Sequence, residues 1–295
     1  MSYRYIRPER LTPNIGAMIH GVQLGEVENP EVFEEIKKAL WEFQVIFLRD
    51  QTLSAEQYLR LGKAFGNVEA HEYFPTVDGH KEIQVVSTTG EKSPDTDYWH
   101  ADVTFRGTPS LVHILHAQEI PPYGGDTLWA SMSAAYNALP APLKSMLLDL
   151  TATHEMAYFF RRSGYLENQK SQMDESELYR KNPPRQHPVV VEHPYSKNHL
   201  LYVNSVWTKR INEFDLQLSD DTLSMLFSWI KKPEFQVRFR WEPKSMVLWD
   251  NLATQHYATF DYAGQARRMH RMQCGSFTPT APRRNVDPVG RAKNV

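Results

Sequence analysis

His100-Ala101-Asp102, with His256 far downstream, are the residues of this chain best suited to chemistry. Two imidazoles and one carboxylate can occupy one face of an octahedral divalent iron, leaving the opposite face for a co-substrate and O2. Residues two apart on an extended strand point the same way, so His100 and Asp102 can reach one ion from a strand or from its end. The third ligand must come from elsewhere, and His256 follows the apolar run Val247-Leu248-Trp249 and a polar turn, Asp250-Asn251. In a chain with 12 His the pair alone is a weak signal, and its alternative is a hydrogen-bonded couple at a strand end. Two cations add weight: Arg267 and Arg271 follow His256 by eleven and fifteen residues. Arginine is the natural bidentate partner of a carboxylate, and a co-substrate with a distal carboxylate, such as 2-oxoglutarate, needs such an anchor. The alternative for Arg267 is a surface ion pair of little energetic weight.

The elements that must position these groups read as many short strands with flanking helices. Phe33, Ile36, Leu40 and Phe43 give Glu31 to Phe43 a helical period. Ser54 is placed to cap a helix whose inner face carries Tyr58, Leu61 and Phe65 and which Gly66 stops. Further helices are expected from Ser131 to Leu139, Ala141 to Leu150 and Asp220 to Ile230. Strands are expected at Val45 to Leu48, Ile83 to Val86, Val112 to His116, Thr127 to Ala130, Val189 to Val191, Leu200 to Val203, Phe235 to Trp241, Met246 to Trp249 and Arg268 to Cys274. There is no regular βαβ alternation. A mainly β fold, a double-sheet jelly roll (double-stranded β-helix, cupin-like) with helices outside, fits this order best.

We read residues 1–295 as a single domain, with a polar insertion or lid at about 158–186 and a loosely ordered tail at about 278–295. Hydrophobic residues make up 41% of the chain and charged residues 23%, enough apolar surface for a sizeable core. A net charge of -2 gives no electrostatic argument for nucleic acid. Cys274 is the one cysteine, so no intramolecular disulfide can form, and it is expected as a small core residue. No apolar leader or membrane-length segment is evident, and a cytoplasmic protein is the expectation. His113, His116, His154, His187 and His193 are expected to be hydrogen-bonded scaffold residues, and His270 should face away from Arg271.

Several ordered motifs resemble the taurine dioxygenase / 2,4-D dioxygenase family. They are Tyr98-Trp99-His100-Ala101-Asp102-Val103-Thr104-Phe105, Gly124-Gly125-Asp126-Thr127-Leu128-Trp129, Leu248-Trp249-Asp250-Asn251, Gln255-His256-Tyr257, and Arg267 to Arg271. The resemblance runs from about Leu11 to about Phe277 and is closest to the taurine branch. It implies a double-stranded β-helix binding Fe(II) through His100, Asp102 and His256. It implies 2-oxoglutarate chelating that iron, with its distal carboxylate on Thr127 and Arg267, and one position left for O2. The implied reaction decarboxylates 2-oxoglutarate to succinate and CO2 and hydroxylates a small anionic organic substrate. The carboxylate of Asp102 fills the position a halide would need, which argues against halogenation. Dimers or tetramers of the chain are the implied assembly.

In the taurine branch a His ahead of the metal motif and an Arg near the C-terminus hold the sulfonate, and His71 and Arg271 match them. Other matching positions depart from that pattern. Phe74 replaces a Tyr, Thr96 an Asn, and Trp207 a Phe; Tyr158, Phe159 and Phe160 occupy the stretch of a Ser-Phe pair. Losing the hydroxyl and the amide while adding rings keeps the anion anchor and makes the rest of the pocket more apolar. A taurine-like organosulfonate is the first expectation; a bulkier sulfonate, an alkyl sulfate ester or an aryloxy or other carboxylate fits the same logic. A non-catalytic jelly-roll binding protein is the alternative from another class, and a zinc hydrolase would leave Thr127 and Arg267 unexplained.

Overall fold

The computed structural model describes residues 3–70, 75–91, 97–156 and 175–283. Its largest element is an eight-stranded sheet. In sheet order this runs β1 (Arg7–Arg10), β2 (Ala17–His20), β3 (Val45–Leu48), β14 (Met246–Asp250), β6 (Ser110–Glu119), β16 (Arg267–Ser276), β5 (His80–Thr88) and β4 (Thr76–Val77). A second sheet is β13 (Gln236–Phe239), β7 (Thr127–Ser131) and β15 (Thr254–Ala258). Two further small sheets pair β10 (Val190–Glu192) with β11 (His199–Leu201), and β8 (Thr151–His154) with β12 (Thr208–Ile211) on one side and β9 (Arg185–Pro188) on the other.

The central strands are buried on both faces, which is why Val45 to Leu48 reads as an unbroken apolar run. Val45, Phe47, Val247, Trp249 and Met269 point toward the second sheet and meet Trp129, Val237 and Phe239. Phe47 stacks on Phe239 at 4.4 Å between ring centroids and meets Trp129 edge-on at 5.6 Å. The alternate residues Ile46, Leu48, Ile114, Met246, Leu248 and Met272 belong to the other core, under α1 (Pro30–Phe43) and α2 (Ala55–Ala64). Ser54 caps α2 in a reciprocal box, its hydroxyl accepting from Gln57 N while the Gln57 side chain accepts from Ser54 N. The sheets facing each other with helices outside are the jelly roll expected from the sequence.

The remaining helices are α3 (Met132–Asn137), α4 (Ala141–Leu147), α5 (Glu175–Lys181) and α6 (Leu216–Trp229). The last starts four residues before the expected Asp220, because Asp215 caps it by accepting from Leu218 N. Residues 158–174 of the expected insertion lie outside the described residues; its remainder contains α5 and the start of β9, which pairs with β8. Of the tail, Thr280 accepts a backbone hydrogen bond from Glu192, and residues 284–295 lie outside the described part. Among the described residues no helix is long and apolar enough to cross a membrane.

Two imidazoles of this frame, His113 and His154, are fully buried. Desolvation holds both below the ordinary imidazole range; for His113 it outweighs the Asp102 contact, and for His154 the neighbouring His187 adds to it. The unfolded chain binds protons on these rings below about pH 6.5 while the folded chain does not. Stability of the metal-free protein should therefore fall as pH drops through that value, by up to about 1.4 kcal/mol per pH unit for each ring. Urea midpoints measured at about pH 7.5 and about pH 5.5 check this: the lower pH should give the lower midpoint, and an unchanged midpoint would mean that the rings protonate in the folded state.

Candidate metal and co-substrate site

His100 and His256 are brought together by backbone pairing. They form an isolated antiparallel bridge in which His100 N donates to His256 O at 3.1 Å and His256 N to His100 O at 2.8 Å. Directly opposed residues of an antiparallel pair project to the same side, and the two rings lie 4.2 Å apart. His100 closes only this one bridge before the chain turns, so the His-Ala-Asp segment sits at a strand end. Val103 follows Asp102 with φ +52°, a strained conformation for a β-branched residue, and swings the chain away. One ligand atom each from His100, Asp102 and His256 lies within 4.8 Å of the others, and all three residues are buried. Among the described residues this is the one such cluster.

The surroundings of the three groups are polar and specific. Tyr98 O accepts from His100 Nδ1 at 2.7 Å, which leaves the lone pair on Nε2. Burial, and then the neighbouring His100, holds His256 well below the usual imidazole range, so its ring is neutral. Burial alone would raise the Asp102 pKa. The contacts with His113, His100 and His256 outweigh it and keep the carboxyl well below its ordinary range. Asp102 Oδ1 lies 3.5 Å from His100 Nε2, and Oδ2 lies 3.9 Å from His256 Nε2 and 2.8 Å from His113 Nδ1.

The loop that carries Asp102 is also pinned by side chains around it. Asn251 accepts from Asp102 N at 2.8 Å and donates to Asp102 O and Ser110 O, each at 3.0 Å. Thr104 Oγ1 contacts His154 Nδ1 at 2.8 Å and accepts from Asn204 Nδ2 at 3.0 Å. Trp207, expected as a pocket wall, donates from Nε1 to Ala101 O at 3.0 Å and packs on Phe105 at 4.8 Å. Neither His113 nor the bonding of Asn251 is assigned a site role by sequence reasoning. Asn251 lies inside a quoted motif, whereas nothing in the local pattern of β6 marks His113.

Arg267 and Arg271 sit on β16 with Met269 between them in the inter-sheet core, so both guanidinium stems leave the same face. Arg267 is buried, its Nε has no hydrogen-bond partner, and among the described residues no carboxylate pairs with it. Desolvation lowers its pKa, opposed by Tyr262 and Asp126. The Trp241 ring lies 5.7 Å from the Arg267 guanidinium carbon, and its Nε1 donates to Thr127 Oγ1 at 2.9 Å. Because that hydroxyl accepts from the indole, its own proton is left to donate elsewhere. Gly124 and Gly125, with φ of +74° and +68°, let β7 begin here: a Cβ on Gly124 would stand 2.7 Å from Asp261 O, and one on Gly125 would stand 3.4 Å from Arg267 Cδ. Arg271 is held by Gln84, whose Oε1 accepts from its Nε at 2.9 Å. His270 points away from Arg271, as expected, toward the His116 side of the sheet. His71, Phe74, Thr96, Tyr158, Phe159 and Phe160 lie outside the described residues.

Residues 8–273 match the family described as "Taurine catabolism dioxygenase TauD, TfdA family". An alpha-ketoglutarate-dependent sulfate ester dioxygenase of Pseudomonas putida is 34% identical over 90% of this chain and 88% of its own length. An alkylsulfatase of Acinetobacter baylyi is 31% identical over 89% of this chain and 83% of its own. The crystal structure of AAD-2 in complex with Mn(II) and N-oxalylglycine superposes with a TM-score of 0.79 at 26% identity, covering 93% of this chain and 99% of that one. The chain belongs to the TauD/TfdA family. It is a 2-oxoglutarate-dependent non-haem iron dioxygenase, as the resemblance in its sequence implied.

Proposed function

We propose that His100, Asp102 and His256 hold one Fe(II), and that Thr127 and Arg267 hold the distal carboxylate of 2-oxoglutarate. The substrate is a small organosulfur anion with an apolar tail, an alkyl sulfate ester or sulfonate, whose acidic head meets Arg271. The observation that carries this reading is the pairing of a buried His, Asp, His cluster with a buried guanidinium whose Nε has no partner. Two imidazoles and one carboxylate suit a divalent first-row metal with open positions. A buried guanidinium whose Nε has no hydrogen-bond partner among the described residues suits an anionic co-substrate, because a buried polar atom left unbonded is costly.

Iron held there supplies O2 activation coupled to decarboxylation of 2-oxoglutarate to succinate and CO2, with one oxygen atom delivered to a substrate C–H. The chain's part is placement and exclusion of water. Arg267 receives the distal carboxylate through its fork, with the Thr127 hydroxyl donating beside it. Gln84 fixes Arg271 at Nε and so orients its guanidinium toward a tetrahedral anion. Trp207, tied to Ala101 O, offers apolar wall to the tail.

Hydroxylation of the carbon bearing the ester oxygen gives a hydroxyalkyl sulfate, which collapses to an aldehyde and sulfate. The same step on a sulfonate releases sulfite. Relatives described as acting on sulfate esters support the first product. A panel of hexyl sulfate, hexanesulfonate, taurine and an aryloxyacetate, read by succinate and by sulfate or sulfite, tests the reading. Hexyl sulfate should stimulate succinate most and release sulfate mole for mole, with taurine well behind. Turnover led by taurine would overturn the apolar-tail reading, and turnover confined to the carboxylate would overturn the organosulfur reading.

A further inference from the structure

We propose that His113 is a positioning residue for the metal site: it occupies Oδ2 of Asp102 so that the carboxylate presents a single oxygen to the metal. The inference rests on the metal-site reading above. His113 lies on β6 between Val112 and Ile114, wholly buried among apolar neighbours. A valine or isoleucine would suit that place, and a buried imidazole is costly unless its nitrogens are engaged.

Both nitrogens of His113 face partners. Nδ1 lies 2.8 Å from Asp102 Oδ2, off the line of a straight hydrogen bond, and Nε2 lies 2.7 Å from Ser110 Oγ. An ionised carboxylate only accepts, so the proton belongs on Nδ1 and the Ser110 hydroxyl donates to Nε2. The ring plane is fixed by Trp249, whose indole lies 5.1 Å from His113 and 5.1 Å from His256. Asn251 bonds to the backbone of both Asp102 and Ser110, so the carboxylate and the hydroxyl that orients the imidazole are tied to one side chain.

Three protein atoms on an octahedral metal leave three positions, two for a chelating 2-oxo acid and one for O2. A carboxylate free to rotate could take a second position with Oδ2. The 2.8 Å contact of His113 Nδ1 with Oδ2 opposes that rotation, and partners of this kind hold first-sphere ligands in their binding orientation.

The test uses the full chain, with Mn(II) as the probe and free Mn(II) measured by electron paramagnetic resonance. His113→Leu removes the donor at similar volume. His113→Asn restores it, because asparagine Nδ2 stands as many bonds from Cα as histidine Nδ1. Ser110→Ala loosens the ring without touching it. With melting temperatures of the metal-free proteins as the fold control, His113→Leu should lose about 10- to 100-fold in Mn(II) affinity. His113→Asn should recover most of that loss, and Ser110→Ala should fall between wild type and His113→Leu. Wild-type affinity in His113→Leu, or equal weakness in the Leu and Asn variants at equal stability, would overturn the inference. Failure of wild type to bind Mn(II) would instead overturn the metal site itself.

Discussion

Replacing Asp102 with alanine should abolish tight metal binding and turnover together while leaving the chain folded. Asp102 is the one carboxylate of the cluster, held ionised against burial by three imidazoles. Removing one member of a buried charge constellation costs about 3–5 kcal/mol, or roughly 150- to 4,000-fold in affinity. The metal-free protein should tolerate the change better, because the desolvation cost of the carboxylate disappears along with its contacts. Calorimetric titration with Mn(II), alongside melting of the metal-free variant, separates the two effects. Unchanged affinity would remove Asp102 from the site. A collapsed fold would make the carboxylate structural, with the imidazoles gathered around it for stability.

Replacing Arg267 with methionine should act in opposite directions on stability and on co-substrate binding. The guanidinium is buried, lacks a partner at Nε and has no ion pair among the described residues, so it is a cost to the resting fold. Methionine fills much of the same volume without that cost, and the melting temperature of the metal-free protein should hold or rise. Affinity for 2-oxoglutarate should fall by roughly 30- to 3,000-fold, the range for truncating one partner of a buried charge pair. Affinity for Mn(II) alone should change little, because Arg267 is outside the cluster. A destabilised variant that kept its co-substrate affinity would make Arg267 a packing residue.

The legible parts of the molecule are those written in local patterns. The Ser54 capping box and the apolar period of α1 are local, and both elements form where the sequence places them. The buried run at β3 is equally plain. β15 carries His256 but no strand signal of its own, since Thr-Gln-His-Tyr-Ala has no clear alternation and gains its order from pairing with β7 and His100. β1, β8, β9 and β12 are short and largely polar, and neighbours define them. The cluster itself was visible because its residue types are rare in combination. His113 was not, because its value comes from register: β6 lies beside β14 and brings position 113 under the Asp102 loop, a relation with no trace in the residues flanking it. The partnering of Arg267 with Trp241 and Thr127 likewise joins three strand regions that only the fold brings together.

The most direct test of the central claim is an anaerobic absorption titration of the metal-free protein, first with Fe(II) and then with 2-oxoglutarate. A chelate at His100, Asp102 and His256 predicts a weak visible charge-transfer band that saturates at one equivalent of each per chain, vanishes in Asp102→Ala and needs far more 2-oxoglutarate in Arg267→Met. Iron that binds without the band, or a band indifferent to both substitutions, would contradict it.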